Sequence, residues 1–323
     1  MVKLIDVHRH LWGFEWFPPS HLRNNAELLA KKTGRTTEQV LDRIKQSPTM
    51  DETGQIAIDE MNHYGIDHSV ILALDWGMAY GPEEDNQLEY EEFDKLTGEA
   101  SAKSDKLSWF CGVDPRRPKA TAIFERAVKE RGAVGLKVYP PNGYQANDER
   151  CFPMYKKAIE LDVPVLIHTG GNIWAWPEWV ELVARELPDL RIMMGHTNLQ
   201  APFETKAFWR GLQAARGKRN VWLDICDWQA LGAVTDENIP ELLKVIRIFI
   251  NSMGAERIVW GTDLPQAGVG SKARGQTETW VDIFKNLPEW GKKYNIDFTE
   301  EERDAICHGA AMKVLSNVDF SNI

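Results

Sequence analysis

Histidine and aspartate side chains follow four short apolar runs that are far apart in the chain. The runs KLIDVHRH, VPVLIH, RIMMGH and RIVWGTD end on His8 and His10, His168, His196 and Asp263. If the runs are parallel strands of one barrel, their carboxyl ends meet at the same mouth. Imidazole and carboxylate groups gathered there are ligands for a divalent cation. The sequence therefore predicts a metal site with one zinc ion as the favoured occupant and manganese as the alternative.

The paired histidines of the first run carry most of this prediction. His8 and His10 are two residues apart, so alternation along a strand turns both side chains to the face that also carries Asp6. Arg9 is expected on the opposite face. Taken alone, the pair is equally consistent with two structural histidines whose rings form hydrogen bonds with main-chain carbonyls. Recurrence of the pattern at the same end of three further runs favours the metal site.

The elements that position these residues repeat regularly along the chain. Amphipathic helical patterns separate most of the apolar runs, and this alternation predicts a (β/α)8 TIM barrel, an α/β fold. Eight strands are expected, at Lys3–His8, His68–Leu74, Leu107–Val113, Val134–Tyr139, Pro164–His168, Leu190–His196, Val221–Ile225 and Arg257–Thr262.

The regular alternation breaks once, after the first strand. Residues 11 to about 60 form an insertion with helical patterns, in which Thr36 and Gln39 have the spacing of a capping box. Because the insertion follows the carboxyl end of a strand, we expect it to cover the barrel mouth as a lid. No second domain is indicated, so residues 1–323 are interpreted as a single domain. Thr299 and Glu302 have capping-box spacing at the start of a last helix.

Composition excludes several classes of protein. The net charge is −10 over 323 residues, and no long basic stripe suggests a nucleic-acid partner. No apolar run approaches the ~20 residues that cross a bilayer, so no membrane association is expected. The four cysteines are widely spaced and have no CxxC pair, which is typical of reduced thiols. A cytoplasmic protein is expected.

At the level of motifs the chain resembles the amidohydrolase superfamily, in particular its aminocarboxymuconate semialdehyde decarboxylase-like and lactone hydrolase branch. The matching stretches are DVHRH, GLKVYP, VLIHTGG, MGHTN and VWGTDLP, which span nearly the whole chain. The resemblance implies a (β/α)8 barrel in which His8, His10, His168 and Asp263 bind the metal. It implies that His196 lies beside the metal and acts on substrate or water. It also implies a homo-oligomer, a dimer or a tetramer.

Other residues near the predicted strand ends are candidates for substrate binding. Lys137 ends GLKV, and relatives with two metals use a carboxylated lysine on this strand as a bridge. An ammonium that faces an anionic substrate, or a structural role, is the favoured interpretation. Tyr139 lies on the same face, and tryptophans after strand ends are expected to wall the pocket, namely Trp12, Trp76, Trp174 and Trp176. Cys226 is interpreted as a small buried thiol rather than a nucleophile.

Three functions follow as hypotheses. The first is hydrolysis of a small cyclic or acidic substrate, such as a lactone, amide or ester, by metal-activated water, with Asp263 and His196 as catalytic residues. The second is non-oxidative decarboxylation of an aromatic or muconate-like acid at the same metal. The third is an inactive barrel that serves as a scaffold, which the intact ligand set disfavours.

Overall fold

The computed structural model describes residues 2–79, 90–199, 203–265 and 271–323. Eight parallel strands form one sheet in sequential order. Their bounds are β1 Ile5–Arg9, β2 His68–Leu72, β3 Leu107–Cys111, β4 Gly135–Val138, β5 Val165–Gly170, β6 Ile192–Leu199, β7 Val221–Ile225 and β8 Ile258–Trp260. The last strand returns to the first, because main-chain bonds join Asp263 N to His8 O (2.7 Å) and His10 N to Leu264 O (2.8 Å).

Helices separate the strands and confirm the predicted (β/α)8 TIM barrel. Their bounds are α1 Pro19–Thr33, α2 Thr37–Lys45, α3 Gln55–Tyr64, α4 Tyr90–Ser101, α5 Ala120–Arg131, α6 Phe152–Glu160, α7 Pro177–Glu186, α8 Thr205–Ala215, α9 Ile239–Met253, α10 Ser271–Lys285, α11 Leu287–Lys293, α12 Glu300–Asp304 and α13 Ala310–Val314. Within the described ranges, no helix has the length and apolar character that crossing a bilayer requires.

Two layers of apolar packing hold the barrel together. Strand residues in register with Lys137 share its face of the sheet, which is the barrel interior. Below the mouth the interior contains Leu72, Phe110, Leu166 and Met193, and Leu315 and Phe320 of the C-terminal segment join the same cluster. Alternate strand residues pack outwards against the helices. The polar residues at the mouth therefore stand on a rigid apolar base.

Strand β1 departs from regular alternation. Its register with β2 shifts between Asp6 and Arg9, and this irregularity separates Asp6 from the face of His8 and His10. The Asp6 carboxylate instead accepts hydrogen bonds from the main-chain N (3.0 Å) and hydroxyl (2.6 Å) of Thr262. The expectation that Asp6 shares the histidine face is wrong, because a shift of one residue reverses the side on which a side chain lies.

The insertion after β1 folds as helices and packs at the mouth. Helix α2 starts with the predicted capping box of Thr36 and Gln39, and the capping box of Thr299 and Glu302 likewise starts α12. Near Trp12, an apolar cluster joins the insertion to the segments that follow β2 and β4. The insertion is thereby held against the carboxyl ends of the strands.

Candidate active site

Three of the predicted ligands converge at the barrel mouth. His8, His10 and Asp263 each present one ligand atom, and these atoms lie within 4.8 Å of one another. Asp263 Oδ1 is 3.0 Å from His10 Nε2 and 3.5 Å from His8 Nε2. All three side chains are buried, with Asp263 only 3% exposed. We call these three residues the ligand cluster.

The hydrogen bonds of His10 show which of its nitrogens is free to bind a cation. Its Nδ1 lies 2.7 Å from the carbonyl oxygen of Leu72. A carbonyl only accepts, so Nδ1 carries the proton and Nε2 has a lone pair. That lone pair faces Asp263 Oδ1, which is itself buried without a hydrogen-bond donor. The His10 lone pair and this carboxylate oxygen are directed at each other and can serve together as ligands of a cation.

His8 has a corresponding partner on its far side. Its Nδ1 lies 2.6 Å from Asp224 Oδ2 at the end of β7, an arrangement in which a carboxylate orients a metal-ligating imidazole. With the proton on Nδ1, Nε2 faces Asp263. Burial raises the pKa of Asp224 well above its ordinary value, and a cation at His8 Nε2 would favour the ionised carboxylate. The donor set of two imidazoles and one carboxylate suits zinc or manganese.

The other two predicted histidines lie together beside the ligand cluster. His196 Nε2 is 2.9 Å from His168 Nδ1, and the rings of His196 and His8 are 4.6 Å apart. His196 also forms candidate ligand groups of its own, one with Asp227 and Asp263 and another with His8 and Cys226. Among the described residues, His168 belongs to none of the ligand groups. It reaches the cluster through His196.

The main chain is in an unusual conformation where it presents these groups. His196, Thr197 and Asn198 have φ of 60°, 50° and 65°, and Asp227 and Asp263 also have positive φ. Such left-handed conformations cost about 1–3 kcal/mol each for residues other than glycine. Hydrogen bonds hold the segment, including Trp228 Nε1 to His196 O (3.0 Å) and Thr197 Oγ1 to Asp224 O (2.9 Å). In this conformation the His196 ring lies 4.6 Å from that of His8 and 4.5 Å from that of His168.

Burial dominates the electrostatics of the site. It lowers the pKa of His10 to about 3 and the pKa values of His8, His168 and His196 well below their ordinary value. The imidazoles are therefore neutral, as metal ligands must be. Burial also raises the pKa of Asp263 to about 8, against the opposing effect of the Lys137 ammonium.

Lys137 is almost completely buried and does not lie at the surface of an open pocket. Its Nζ is 3.1 Å from His8 Nε2, and the side chain is 1% exposed. Burial lowers its pKa to about 8, so its charge is easily lost when another cation comes near. Its position beside the ligand cluster is compatible with substrate contact, with a structural role and with a bridging role.

The tryptophans predicted to wall the pocket divide into two pairs. Trp12 stacks on His10 with ring centroids 4.7 Å apart, and Trp76 lies 6.3 Å from Trp12. Tyr139 continues this wall, 5.1 Å from Trp76 and 4.9 Å from His168.

The second pair lies in the loop after β5. Trp174 is 40% exposed. Trp176 stacks with Trp179, and the Arg210 guanidinium covers its ring at 4.5 Å. These contacts involve helices α7 and α8, so the structure gathers Trp12, Trp76 and Tyr139 at the ligands and directs Trp176 elsewhere.

Three residues of strand β7 and its following loop belong to the site without having been predicted for it. Asp224 contacts His8, Cys226 contacts two histidines, and Asp227 faces His196 and Asp263. Cys226 is fully buried, in agreement with its interpretation as a buried thiol. Burial, with the charge of Asp263, raises the pKa of Asp227 to about 9. The pattern DICD at a strand end is a signal that could have identified them.

Comparison with known proteins gives consistent results. The family model described as amidohydrolase matches residues 5–316. A 2-keto-4-carboxy-3-hexenedioate hydratase of Sphingobium sp. is 25% identical over 250 residues, which cover 65% of this chain and 67% of the hydratase.

Solved structures share the fold at lower identity. A manganese complex of 5-carboxyvanillate decarboxylase from Novosphingobium aromaticivorans has a TM-score of 0.63 at 16% identity and covers 98% of this chain and 96% of its own. A probable 2-pyrone-4,6-dicarboxylic acid hydrolase from Acinetobacter baumannii has a TM-score of 0.62 at 15% identity, with coverages of 97% and 99%. At this identity the likeness establishes the barrel fold.

Proposed function

Because the chain belongs to the amidohydrolase family, we propose that it is a metal-dependent hydrolase of a small, carboxylate-bearing cyclic substrate. One observation supports this most directly. The Nε2 lone pair of His10 and the unpaired Oδ1 of Asp263 face each other at 3.0 Å, with His8 Nε2 beside them. His168, joined to His196, would complete the set of ligands. When bound, a divalent cation lowers the pKa of a water molecule towards ~7 and polarises a carbonyl group.

The residues around the cation site have separate roles in the reaction. Asp263 accepts the proton of the attacking water at its carboxylate and delivers it to the leaving group. The imidazole of His196, held beside the ligand cluster, packs against the bound substrate and orients it. The wall of Trp12, Trp76 and Tyr139 excludes water and packs against a flat, unsaturated ring.

The carboxylate-bearing substrate class is inferred from the relatives. The hydratase, the decarboxylase and the hydrolase are named for substrates that carry carboxylate groups. Lys137 provides a buried amine beside the ligand cluster that can donate a hydrogen bond to such a group. The hydratase and the hydrolase both add water, which supports water activation as the chemistry of this site.

Decarboxylation is the second candidate, since several solved structures with this fold are decarboxylases. It would use the same ligands, with Asp263 or His196 protonating carbon. Three assays separate the possibilities. They measure ring opening of 2-pyrone-4,6-dicarboxylate, carbon dioxide release from 5-carboxyvanillate and hydration of 2-keto-4-carboxy-3-hexenedioate. Oxygen-18 from solvent water enters a carboxylate or hydroxyl group of the product only when water is added. Carbon dioxide release without such incorporation would replace hydrolysis with decarboxylation.

The metal requirement is tested by changing His8 and His10 together to alanine. We expect the double variant to lose its metal and its turnover, because two of the three converging ligands are gone. Elemental analysis after dialysis measures metal content and identifies zinc or manganese. His63→Ala is the matched control, since this histidine is 58% exposed in its side chain on α3. Full activity of a metal-free double variant would contradict the proposal.

A further inference from the structure

The end of strand β7 lies directly behind the ligand cluster. Cys226 Sγ is 3.0 Å from His8 Nδ1, 3.1 Å from His196 Nδ1 and 3.3 Å from Asp224 Oδ2. Cys226 and Asp224 are fully buried. We propose that Asp224 and Cys226 are positioning residues that fix which nitrogen carries the proton in His8, His196 and His168. The inference rests on the proposed function and deepens it, because it explains how imidazole lone pairs are directed at the mouth.

The protons can be followed from Asp224 outwards. Its carboxylate accepts from His8 Nδ1–H at 2.6 Å and also from the Cys226 thiol. With its own proton directed at Asp224, the sulfur accepts from His196 Nδ1–H. This contact favours His196 with its proton on Nδ1 and a lone pair on Nε2.

The arrangement continues to His168. His196 Nε2 lies 2.9 Å from His168 Nδ1, and since His196 Nε2 accepts, His168 Nδ1 donates. His168 is left with a lone pair on Nε2. The same tautomer is thus produced in His8 by Asp224 and in His168 by Cys226 acting through His196.

The groups around Cys226 are close together. Its sulfur lies 3.0 Å from His8 Nδ1 and 3.1 Å from His196 Nδ1. Packing is also close, because a Cβ at Gly261 would lie 3.0 Å from Cys226 Cβ and 2.9 Å from His8 Cβ. The thiol is therefore held against both rings.

Nitrogen-15 NMR of histidine-labelled protein tests the inference without any variant. Spectra are recorded on the metal-free and the zinc-loaded protein, with resonances assigned by single histidine substitutions. We expect His8, His196 and His168 all to carry the proton on Nδ1. A proton on Nε2 of His196 or His168 would overturn the inference. The metal-free spectrum decides this even if the protein proves to bind no metal, so its failure is distinguishable from failure of the proposed function.

Two substitutions test the roles separately. Asp224→Asn places an amide donor against His8 Nδ1, so we expect a mixture of His8 tautomers. We also expect activity to fall by close to 100-fold, the upper end of the 10- to 100-fold range seen when the hydrogen-bond partner of a metal-ligating histidine is changed. Cys226→Ala removes the sulfur that accepts from His196 Nδ1–H, so we expect a loss of activity of about 10-fold, in kcat rather than KM, and a changed His196 spectrum. Cys226→Ser should restore both.

The matched controls are Asp51→Asn and Cys307→Ala, which change a buried aspartate and a buried thiol elsewhere in the chain. They should leave the three histidine spectra unaltered. Unaltered histidine spectra in both Asp224→Asn and Cys226→Ala would refute the assignment.

Discussion

Two buried polar clusters lie at the same end of the barrel, and they differ in how well their charges are paired. The ion-pair cluster follows β2, β3 and β4 and consists of Asp75, Asp114, Arg116, Arg117 and Asn142. Arg117 donates to both carboxylate oxygens of Asp75 at 2.5 and 2.7 Å. Arg116 does the same for Asp114 at 2.8 and 2.7 Å. Asn142 Nδ2 joins the two sides.

The ligand cluster has no such pairing. Asp263 Oδ1 is buried without a hydrogen-bond donor, and so is the second oxygen of its neighbour Asp224. An unpaired buried acceptor costs about 1–3 kcal/mol, and left-handed conformations at His196 and Asp263 add to that cost. Proteins retain such costs at functional sites. Incomplete pairing, rather than burial of charge, therefore distinguishes the ligand cluster from the ion-pair cluster.

The largest expected effect on folding comes from breaking the ion-pair cluster. Arg117→Ala leaves the Asp75 carboxylate buried without its main partner, and we expect a loss of about 3–5 kcal/mol in the free energy of unfolding. Urea denaturation measures it. Lys244→Ala, which removes an exposed pair with Glu241, is the control and should change stability by less than about 1 kcal/mol. Equal losses in the two variants would mean that the ion-pair cluster is not a structural network.

Metal addition should act on the ligand cluster alone. At a free metal concentration of 100 Kd, binding to the folded state adds about 2.7 kcal/mol to the free energy of unfolding. We expect Tm to rise on addition of zinc or manganese and to fall again with a chelator. Metal should increase the free energy of unfolding of Arg117→Ala by the same amount as that of the unmodified protein. It should not increase that of the His8→Ala, His10→Ala double variant. An increment retained in the double variant would place the cation elsewhere.

The smallest expected effect has the opposite sign in the two clusters. In chelated protein, Asp263→Asn removes an uncompensated carboxylate and should stabilise the fold by about 1–3 kcal/mol above pH 8, whereas Asp75→Asn should destabilise it.

The effect of Asp263→Asn should depend on pH. Burial raises the pKa of Asp263 from 3.8 to about 8, so the folded state binds more protons than the unfolded state between these values. The stability contributed by this group is complete below about pH 4 and is lost as pH rises through about 8. Denaturation at about pH 5 and about pH 9 should show the difference between variant and unmodified protein growing with pH. A difference that shrinks would indicate that Asp263 is paired in the folded state.

The regular parts of the fold were predictable because local sequence determines them. Alternation of apolar runs with amphipathic helices predicts eight βα units, and the strands lie within a few residues of their predicted positions. The helix starts at Thr36 and Thr299 follow from side chains that bond to main-chain donors three residues away. These interactions depend little on the rest of the chain.

The position of Asp6 could not be predicted in this way. The register shift in β1 depends on pairing with β2, and it removes Asp6 from the histidine face. Likewise, the roles of Asp224 and Cys226 depend on their contacts with His8, which is more than 200 positions away in the chain. The DICD pattern places these residues at a strand end, but it does not specify their contacts with His8 and His196.

The sequence by itself determined the barrel and the residue types at the ends of its strands, because periodicity and strand-end position are local properties. Tertiary structure alone decided which of these residues meet, which imidazole nitrogens carry a lone pair and which carboxylate oxygen lacks a hydrogen-bond donor. Those properties depend on the closure of the barrel, which brings β1, β5, β6, β7 and the segment after β8 around one point. Hydrogen bonding and desolvation act over a few ångströms of space, whatever the separation along the chain.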